Sequence, residues 1–370
     1  MLVGVPKEIK KQEARVGLTP AAVREYVERG HQVMVERGAG EGIGAGDDAY
    51  TTAGATIAAS AADIFAQAGM IVKVKEPQPR EWVRLREGQI LFTYLHLAPD
   101  PEQTRGLLNS GVTSVAYETV TEGQGLPLLA PMSEVAGRLS IEAAALASRS
   151  FNGGNGLLMG GVPGVAPARV VILGGGVVGT HAARMAAGLG ADVLIFDRSL
   201  TRLRQLDEHF GGRARTRYST SEAIEEEIRT ADVVIGSVLV PGANAPRLVT
   251  HDMLGLMRLR SVLVDVAIDQ GGCFETSRAT THAEPTYEVD GIIHYCVANM
   301  PGSVPRTSSH ALNNATLPYG LALAAGGIAA IQEDPALRAG LSTHLGKLTS
   351  EPVAAAQGLD FTIASEALAA

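Results

Sequence analysis

Glycines at a fixed spacing near the middle of the chain have the clearest chemical meaning. Gly174, Gly176 and Gly179 occupy the three positions of a G-x-G-x-x-G pattern, between an apolar run, Val170 to Leu173, and a helix-compatible segment, Val177 to Leu189. The first glycine permits a tight turn, the second lets the backbone approach a pyrophosphate, and the third lets helix pack on strand. The pattern therefore predicts a dinucleotide at the N-terminus of that helix.

A carboxylate follows the glycine pattern at the position that binds a ribose in dinucleotide-binding domains. The segment Asp192–Asp197 is typical of a second strand, and Asp197 ends it about 20 residues after the glycines. An acid at this position binds the two hydroxyls of an adenosine ribose. Because a carboxylate repels a 2′-phosphate, NAD is favoured over NADP, although Arg198 next to it keeps NADP open.

Four ionisable side chains lie at or after the ends of other predicted strands, where open α/β sheets bind ligands. They are Arg15, Lys75, His96 and Asp269. Hydride chemistry on a small amino or keto acid needs such a set: an arginine binds the carboxylate, a lysine polarises the carbonyl or imine, and histidine or aspartate moves a proton. Each residue alone is better explained as a surface or loop residue, but together they favour a catalytic site.

Strands and helices alternate from the start of the chain, which predicts βαβ units and a parallel sheet. This first domain lacks a glycine fingerprint, so we expect it to bind something other than the dinucleotide. Its predicted strands are Leu2–Val5, Gln32–Glu36, Met70–Lys75, Ile90–Leu95 and Ser114–Glu118, and its predicted helices are Pro20–Arg29, Ala59–Ala68 and Pro101–Asn109.

A long helix, Pro131–Ser150, leads into the second domain, a predicted six-stranded sheet that includes Asp232–Gly236, Val262–Ala267 and Ile292–Val297. After Pro305 we expect helices over Asn313–Ile331 and Pro335–Lys347 that return to the first domain. The predicted fold is α/β, with two doubly wound parallel-sheet domains, one of them a Rossmann NAD-binding domain. Residues 1–130 plus 305–370 would form the substrate domain, and 131–304 the NAD-binding domain.

Composition narrows the class of protein. With 370 residues, 46% of them hydrophobic, the chain can build two cores. A net charge of −8 argues against a nucleic-acid partner, and no basic block suggests a membrane surface. The first residues do not resemble a signal peptide, and the apolar runs are too short to span a membrane. Cys273 and Cys296 suggest no disulfide framework, which favours a cytoplasmic location. No metal site is predicted.

Several loops match a known pattern in the same order. Over nearly its whole length the chain resembles the alanine dehydrogenases, within the alanine dehydrogenase/pyridine nucleotide transhydrogenase family. Matching loops in order are more specific than the glycine motif alone. The resemblance rests on Val5–Ile9 with Glu13–Val16, Lys73–Pro77, Tyr94–Ala98, Ala130–Gly137, Val264–Gly272 and Tyr295–Gly302.

The resemblance implies reversible, NAD-dependent oxidative deamination of L-alanine to pyruvate and ammonium, and a homo-oligomer, commonly a hexamer. It implies that Arg15 and Lys75 bind substrate and that His96 and Asp269 are the acid/base pair. The cofactor contacts implied by the resemblance are Ser133, Val178, Asp197, Arg202, Ser219, Leu239, Arg278, Val297, Ala298, Asn299 and Met300. The predicted cofactor site also includes the glycine turn and neighbouring segments: Gly174, Gly176, Val177, Gly179, Val238, Val266, Ala267, Ile268 and Asp269.

Three other functions stay open at this point. The nucleotide-binding subunit of a transhydrogenase has the same architecture, but Lys75, His96 and the absence of apolar tail segments disfavour it. A saccharopine dehydrogenase would need a larger, more cationic pocket. A silent NAD-sensing protein is possible because fold does not fix function. Substrate breadth beyond alanine is also open, since one methylene changes selectivity by only about 1–3 kcal/mol.

Overall fold

The computed structural model describes residues 1–123, 125–238 and 245–369. The chain forms two compact units. The first joins Met1–Met132 to Val304–Ala370, and the second is Ser133–Ser303. No helix in the described part of the chain is long and apolar enough to cross a membrane.

The N-terminal segment of the first unit alternates strand and helix, as predicted. Thr19 accepts a hydrogen bond from the N–H of Ala22, and Pro20 begins the first helix, so this end has both usual start signals. The strands are β1 Leu2–Val5, β2 Gln32–Glu36, β3 Thr56–Ala58, β4 Met70–Val72, β5 Ile90–Thr93 and β6 Thr113–Ala116. The helices are α1 Pro20–Glu28, α2 Asp47–Thr52, α3 Ala61–Gln67, α4 Pro79–Trp82 and α5 Pro101–Ser110.

A long helix, α6 Ala130–Ala147, runs from the first unit into the second. Apolar runs then form the central strands, which are buried on both faces as in other parallel sheets, whereas the edge strands β9 and β12 are partly exposed. The strands are β7 Arg169–Leu173, β8 Asp192–Asp197, β9 Arg215–Tyr218, β10 Val233–Gly236, β11 Val262–Asp265, β12 Thr286–Val289 and β13 Ile292–Tyr295. The helices are α7 Val177–Gly188, α8 Leu200–Phe210, α9 Ser221–Ile228 and α10 His251–Leu254.

The C-terminal segment returns to the first unit. Its first helix is tied to the loop after β1: Asn313 accepts from the N–H of Thr19 at 2.7 Å and donates to Gly17 O at 3.0 Å. The elements are α11 Pro305–Gly326, α12 Ile328–Glu333, α13 Pro335–Gly340, β14 Leu341–His344, β15 Lys347–Leu348, α14 Glu351–Gln357 and α15 Ala364–Ala367.

Both sheets are wound in the same way. The first has the order β15-β14-β6-β5-β4-β1-β2-β3, and the second β12-β13-β11-β10-β7-β8-β9. In each sheet the winding reverses beside the first strand of the unit, between β1 and β4 and between β7 and β10. Such reversals open a crevice at the carboxyl ends of the strands. The predicted α/β, doubly wound fold class is confirmed, although antiparallel edges make both sheets mixed: β14 on β6, and β12 on β13.

Some element predictions are wrong. The predicted helix Pro335–Lys347 stops at Gly340, and the hairpin of β14 and β15 follows it. Within the described residues the second sheet has seven strands, where six were predicted. The edge strand β9, with the sequence Arg-Thr-Arg-Tyr, carries no apolar run that would mark it.

Candidate functional site

Arg15 lies in the loop after β1, with 2% of its surface exposed. The carboxylate of Glu13 accepts hydrogen bonds from its Nε at 2.7 Å and its Nη2 at 2.5 Å, and its Nη1 lies 3.1 Å from Met132 Sδ. Burial lowers the pKa of Arg15, but the hydrogen bonds and charge of Glu13 more than offset this and raise it. The guanidinium is therefore a permanent cation in a fixed orientation, as carboxylate binding requires.

A pocket of about 240 Å³ opens beside Arg15 in the first unit. Its walls come from the loops after β1 and β2 and carry both signs of charge. Lys75 and His96 do not line it, so within the described residues this pocket gathers only one of the three site residues predicted in the first unit. The lining residues are Lys7, Glu8, Glu13, Ala14, Arg15, Gly38, Ala39, Glu41 and Gly42.

Lys75 follows β4, beside the point where the first sheet reverses its winding. Glu8, from the loop after β1, accepts hydrogen bonds from the N–H groups of Val74 at 2.7 Å and Lys75 at 3.3 Å. Thr93 donates to the carbonyl of Lys75 at 3.0 Å. The Nζ of Lys75 lies 4.0 Å from the carboxylate of Glu76. The backbone of Lys75 is thus fixed from both neighbouring strands.

A buried ion cluster supports this arrangement. Lys73 Nζ lies 2.9 Å from Glu8 and 2.9 Å from Glu81. Burial lowers the pKa of Lys73, but the two carboxylates more than offset this and raise it; burial also raises the pKa of Glu8. Because the cluster is buried, removing one partner of such a pair lowers the free energy of unfolding by about 3–5 kcal/mol. The rigid Lys73–Glu8 pair therefore holds the strand end that carries Lys75.

His96 follows β5 with its side chain 44% exposed. Its φ is +49°, a left-handed conformation that is costly outside glycine. Glu118 accepts hydrogen bonds from the N–H groups of Leu95 at 3.1 Å and His96 at 2.6 Å, and the imidazole stacks on Tyr94 with ring centroids 5.7 Å apart. The strained backbone thus presents a half-exposed imidazole, which suits a residue that exchanges protons with solvent.

The glycine turn of the second unit has the geometry of a dinucleotide site. Gly174 has φ +105°, and a Cβ at Gly179 would lie 1.8 Å from Gly174 O, so helix α7 packs directly on the turn. A Cβ at Gly176 would meet no atom of the described chain within 4 Å, which leaves open space at the N-terminus of α7. These three features are what a bound pyrophosphate requires. The turn therefore fits NAD.

Asp197 ends β8 beside this turn. Its Oδ2 accepts from the N–H of Gly175 at 2.9 Å, and its Oδ1 accepts from the N–H of Ser199 at 2.8 Å. The N–H of Ser219 donates to the carbonyl of Asp197 at 3.0 Å. The carboxylate is thus oriented by the turn that would hold the pyrophosphate, as a ribose-binding acid requires.

Arg202, on α8, braces the same turn. Its Nε donates to Gly175 O at 2.7 Å, and its Nη2 donates to Thr180 Oγ1 at 2.7 Å. The guanidinium thereby links α8 to the turn and to the first part of α7. Such a contact fixes the relative position of the two helices that flank the predicted phosphate site.

The other predicted cofactor residues follow the carboxyl ends of β10, β11 and β13, or lie on α6 (Ser133) and at the start of α7 (Val177 and Val178). A Cβ at Gly137 would lie 2.3 Å from Val178 O, so α6 contacts the start of α7 one turn after Ser133. Leu239 lies outside the described residues. The residues after the strands are Val238 after β10, Val266, Ala267, Ile268 and Asp269 after β11, and Val297, Ala298, Asn299 and Met300 after β13.

Asp269 and Arg278 are exposed on the loop after β11. Asp269 lies in the short 3₁₀ turn Ile268–Gln270. The guanidinium of Arg278 lies over the ring of Tyr287, 4.1 Å from its centroid, and the N–H of Arg278 donates to the hydroxyl of Tyr287 at 2.8 Å. The contacts with Tyr287 thus hold the exposed Arg278 side chain in place.

The structure also adds residues that sequence reasoning did not identify. Carboxylates orient the functional groups of the first unit, and Asp265 and Tyr287 organise the loop after β11. The matched loops include Glu8, Glu13, Lys73, Tyr94 and Asp265, but they gave these residues no role, because a side chain's hydrogen-bond partner is not visible in the order of residues. The described part of the chain has no cluster of three or more His, Cys, Asp or Glu residues placed to hold a metal. The added residues are Glu8, Glu13, Lys73, Glu81, Tyr94, Glu118, Thr180, Asp265 and Tyr287.

Comparison with known proteins gives full-length matches. Residues 4–136 match the model of the alanine dehydrogenase/PNT N-terminal domain, and residues 140–351 match that of the C-terminal domain. The chain is 57% identical over 367 residues to the alanine dehydrogenase of Halomonas elongata, covering 99% of each.

Two solved structures are also similar to the chain. An L-alanine dehydrogenase superposes with a TM-score of 0.94 at 52% identity, covering 97% of this chain and 99% of its own. A transhydrogenase from Sinorhizobium meliloti has a TM-score of 0.81 at 26% identity, covering 95% of this chain and 99% of its own. With both domain models matched in order along nearly all of its length, the chain belongs to the alanine dehydrogenase/PNT family.

Proposed function

We infer that this chain is an NAD-dependent oxidoreductase that converts L-alanine reversibly to pyruvate and ammonium. The observation that carries the inference is the high identity to alanine dehydrogenases over the whole chain. The local geometry agrees with it: a fixed arginine, a lysine and a half-exposed histidine follow neighbouring strands of one sheet, and a dinucleotide turn begins the other.

We propose that Arg15 and Lys75 bind the substrate carboxylate and the oxygen that forms at C2. NAD, held by the glycine turn and Asp197, would supply the acceptor for the hydride from C2 of alanine. His96 and Asp269 are proposed to move protons. Before the hydride leaves, the alanine ammonium loses one proton, and because the His96 side chain is 44% exposed, His96 can pass that proton to solvent. When water adds to the iminium carbon, one of the two residues takes a proton from it and returns it to the nitrogen; as ammonia leaves, the same base takes the hydroxyl proton and passes it to the ammonia, which gives pyruvate and ammonium.

The proposed division of labour places substrate binding in residues 1–130 and 305–370 and NAD binding in residues 131–304. The proposed cofactor contacts are those that the resemblance implies, from Ser133 to Met300. We also propose a cytoplasmic homo-oligomer, with the hexamer as the expected size. Light scattering of the purified chain measures that size directly, and a monomer would contradict it.

The decisive assay is the absorbance of NADH formed by the purified chain from L-alanine and NAD. We expect NADH formation that requires alanine and reverses with pyruvate and ammonium. The structural similarity to a transhydrogenase makes hydride exchange between NADH and an NADP analogue the second candidate. Exchange without alanine-dependent NADH formation would overturn the proposed function and favour that alternative.

A further inference from the structure

We propose that Asp265 is a positioning residue: its buried carboxylate fixes both ends of the loop between β11 and Arg278, and so places Asp269 for proton transfer and Arg278 for NAD. The proposal rests on the proposed function, because the roles of Asp269 and Arg278 come from it.

Asp265 is the last residue of β11 and is fully buried. Its Oδ1 accepts from the N–H of Ala267 at 3.1 Å. Its Oδ2 accepts from the N–H groups of Cys273 at 2.7 Å and Phe274 at 3.3 Å, and from the hydroxyl of Ser277 at 2.5 Å. Burial raises the pKa of Asp265 above its ordinary value although these hydrogen bonds oppose the shift. Four donors converge on the two oxygens of Asp265. A carboxylate, which has only acceptors, satisfies all four.

Two glycines let the backbone pack closely against this carboxylate. A Cβ at Gly272 would lie 2.5 Å from Asp265 Oδ2, and one at Gly236 would lie 3.3 Å from Oδ1. Gly272 also has φ +85°, which disfavours other residues. The chain therefore approaches the carboxylate closely from β10 and from the loop itself.

The first hydrogen bond fixes the turn that carries Asp269. Ala267, whose N–H binds Asp265, accepts in turn from the N–H of Gly272 at 3.0 Å, and Ile268 accepts from the N–H of Gly271 at 3.0 Å. Asp269 is exposed at the centre of this closed turn. Its position therefore depends on the anchor at Ala267.

The last hydrogen bond fixes the segment that carries Arg278. Ser277, which donates to Asp265, immediately precedes Arg278, and Tyr287 holds Arg278 from the other side through its hydroxyl and ring. One carboxylate thus connects the proposed proton-transfer residue to the proposed cofactor residue. Loss of it should therefore lower turnover and weaken NADH binding together.

The test compares Asp265→Asn with Asp232→Asn. Asp232 is a buried aspartate of the same sheet that precedes β10, and it accepts from the N–H of Arg169 at 2.8 Å and from Arg258 at 3.2 Å. It lies at the amino ends of the strands, whereas the proposed site lies at their carboxyl ends, so it controls for the loss of a buried carboxylate. Thermal unfolding, kcat, the KM for alanine and NADH affinity by fluorescence are measured for both variants and for Asp269→Asn.

For Asp265→Asn we expect kcat to fall by about 10–100-fold, the range for outer partners of functional groups, and the NADH Kd to rise several-fold. An asparagine N–H₂ must face at least one of the four donors, which displaces an end of the loop. Asp232→Asn should lower Tm but keep kcat and NADH Kd within about twofold. A folded Asp265→Asn enzyme that keeps both values, or an Asp232→Asn enzyme that loses both equally, would overturn the proposal.

A second variant covers the case in which Asp265→Asn does not fold. Ser277→Ala removes only one donor, and Ser261→Ala is its control, because Ser261 donates to Ala231 O at 3.1 Å at the other end of β11. Ser277→Ala should raise the NADH Kd while Ser261→Ala should not, and equal values in both would overturn the proposal. If the wild-type chain binds NADH but does not oxidise alanine, the proposed function fails while the binding measurements still test Asp265.

Discussion

At the scale of single residues, each cationic or imidazole group of the proposed substrate site is fixed by its own carboxylate. Glu13 orients the guanidinium of Arg15, Glu8 binds the backbone of Lys75, and Glu118 binds the backbone of His96. Groups held in this way need little reorganisation when charge develops on a substrate, and such preorganisation is a large part of catalysis. The price is strain at His96, where the left-handed backbone costs about 1–3 kcal/mol.

Replacing His96 by alanine separates proton transfer from binding. We expect kcat for alanine to fall by about 10²–10⁴-fold, because a general acid/base is lost, and NADH affinity to change little. Steady-state kinetics and NADH fluorescence measure the two effects. His310→Ala, an exposed histidine on α11, is the matched control and should keep the wild-type kcat. Near-wild-type turnover in His96→Ala would leave Asp269 as the proton-transfer group.

Replacing Asp197 by alanine tests cofactor choice. The carboxylate that would bind the ribose hydroxyls of NAD also repels a 2′-phosphate, so Asp197→Ala should raise the KM for NAD and lower the KM for NADP. Kinetics with both cofactors give the ratio of kcat/KM values. Asp207→Ala removes an exposed carboxylate from α8 and should leave that ratio unchanged. Wild-type preference for NADP would contradict the assignment.

At the scale of elements, the predicted strands run beyond the real ones, and the reason is the same in three places. The segments Met70–Lys75, Ile90–Leu95 and Val262–Ala267 end as strands at Val72, Thr93 and Asp265. At the second residue beyond each of these ends, the backbone N–H donates to a side-chain carboxylate instead of a neighbouring strand. The accepting carboxylates are those of Glu8, Glu118 and Asp265. Apolar residues continue past the point where the sheet stops, so periodicity alone could not place these ends.

The C-terminal hairpin was predicted as helix for a related reason. Leu341–His344 is short, and its strand state depends on a distant partner: Thr343 bonds Ser114 at 2.7 Å, and His344 Nδ1 lies 2.9 Å from Thr113 Oγ1. More than 200 residues separate these pairs along the chain. The strand propensity of Leu341–His344 alone cannot reveal a pairing with residues so far away in the sequence.

Protonation of His344 should weaken this hairpin. Burial, and then the charge of Lys347, lower the pKa of His344 below its ordinary value of 6.5. His344 therefore binds a proton more readily in the unfolded chain than in the folded chain. As a result, the free energy of unfolding falls as pH drops below about 6.5. Urea unfolding at pH 7.5 and pH 5.5 measures this change. His344→Asn, which keeps a polar partner for Thr113, should show a smaller pH dependence than wild type; an equal one would contradict the prediction.

At the scale of the whole molecule, one winding pattern is used twice. The alternation of strand and helix and the glycine turn were enough to predict two doubly wound sheets. The contacts that orient Arg15, Lys75 and His96 could not be predicted, because they join residues from different loops. Each sheet has its own reversal point: Arg15 and Lys75 follow the two strands at the first one, and Gly174 and Val238 follow the two strands at the second.

The two units differ in how their cores are assembled, and this predicts how fragments behave. All seven strands of the second sheet lie within residues 130–303, with apolar clusters on both faces. The first unit needs the returning segment: β14 pairs with β6, and Val16 donates its N–H to Ser309 at 3.1 Å.

We therefore expect the fragment 130–303 to unfold cooperatively and to bind NADH, but not to oxidise alanine, since it lacks Arg15, Lys75 and His96. The fragment 1–132 should give no cooperative transition, because β6 would be left with an open edge and the loop after β1 without Asn313. Circular dichroism on heating and NADH fluorescence measure both outcomes. A folded 1–132 would contradict the dependence of the first unit on the returning segment, and a 130–303 that folds without binding NADH would contradict the proposed division of labour.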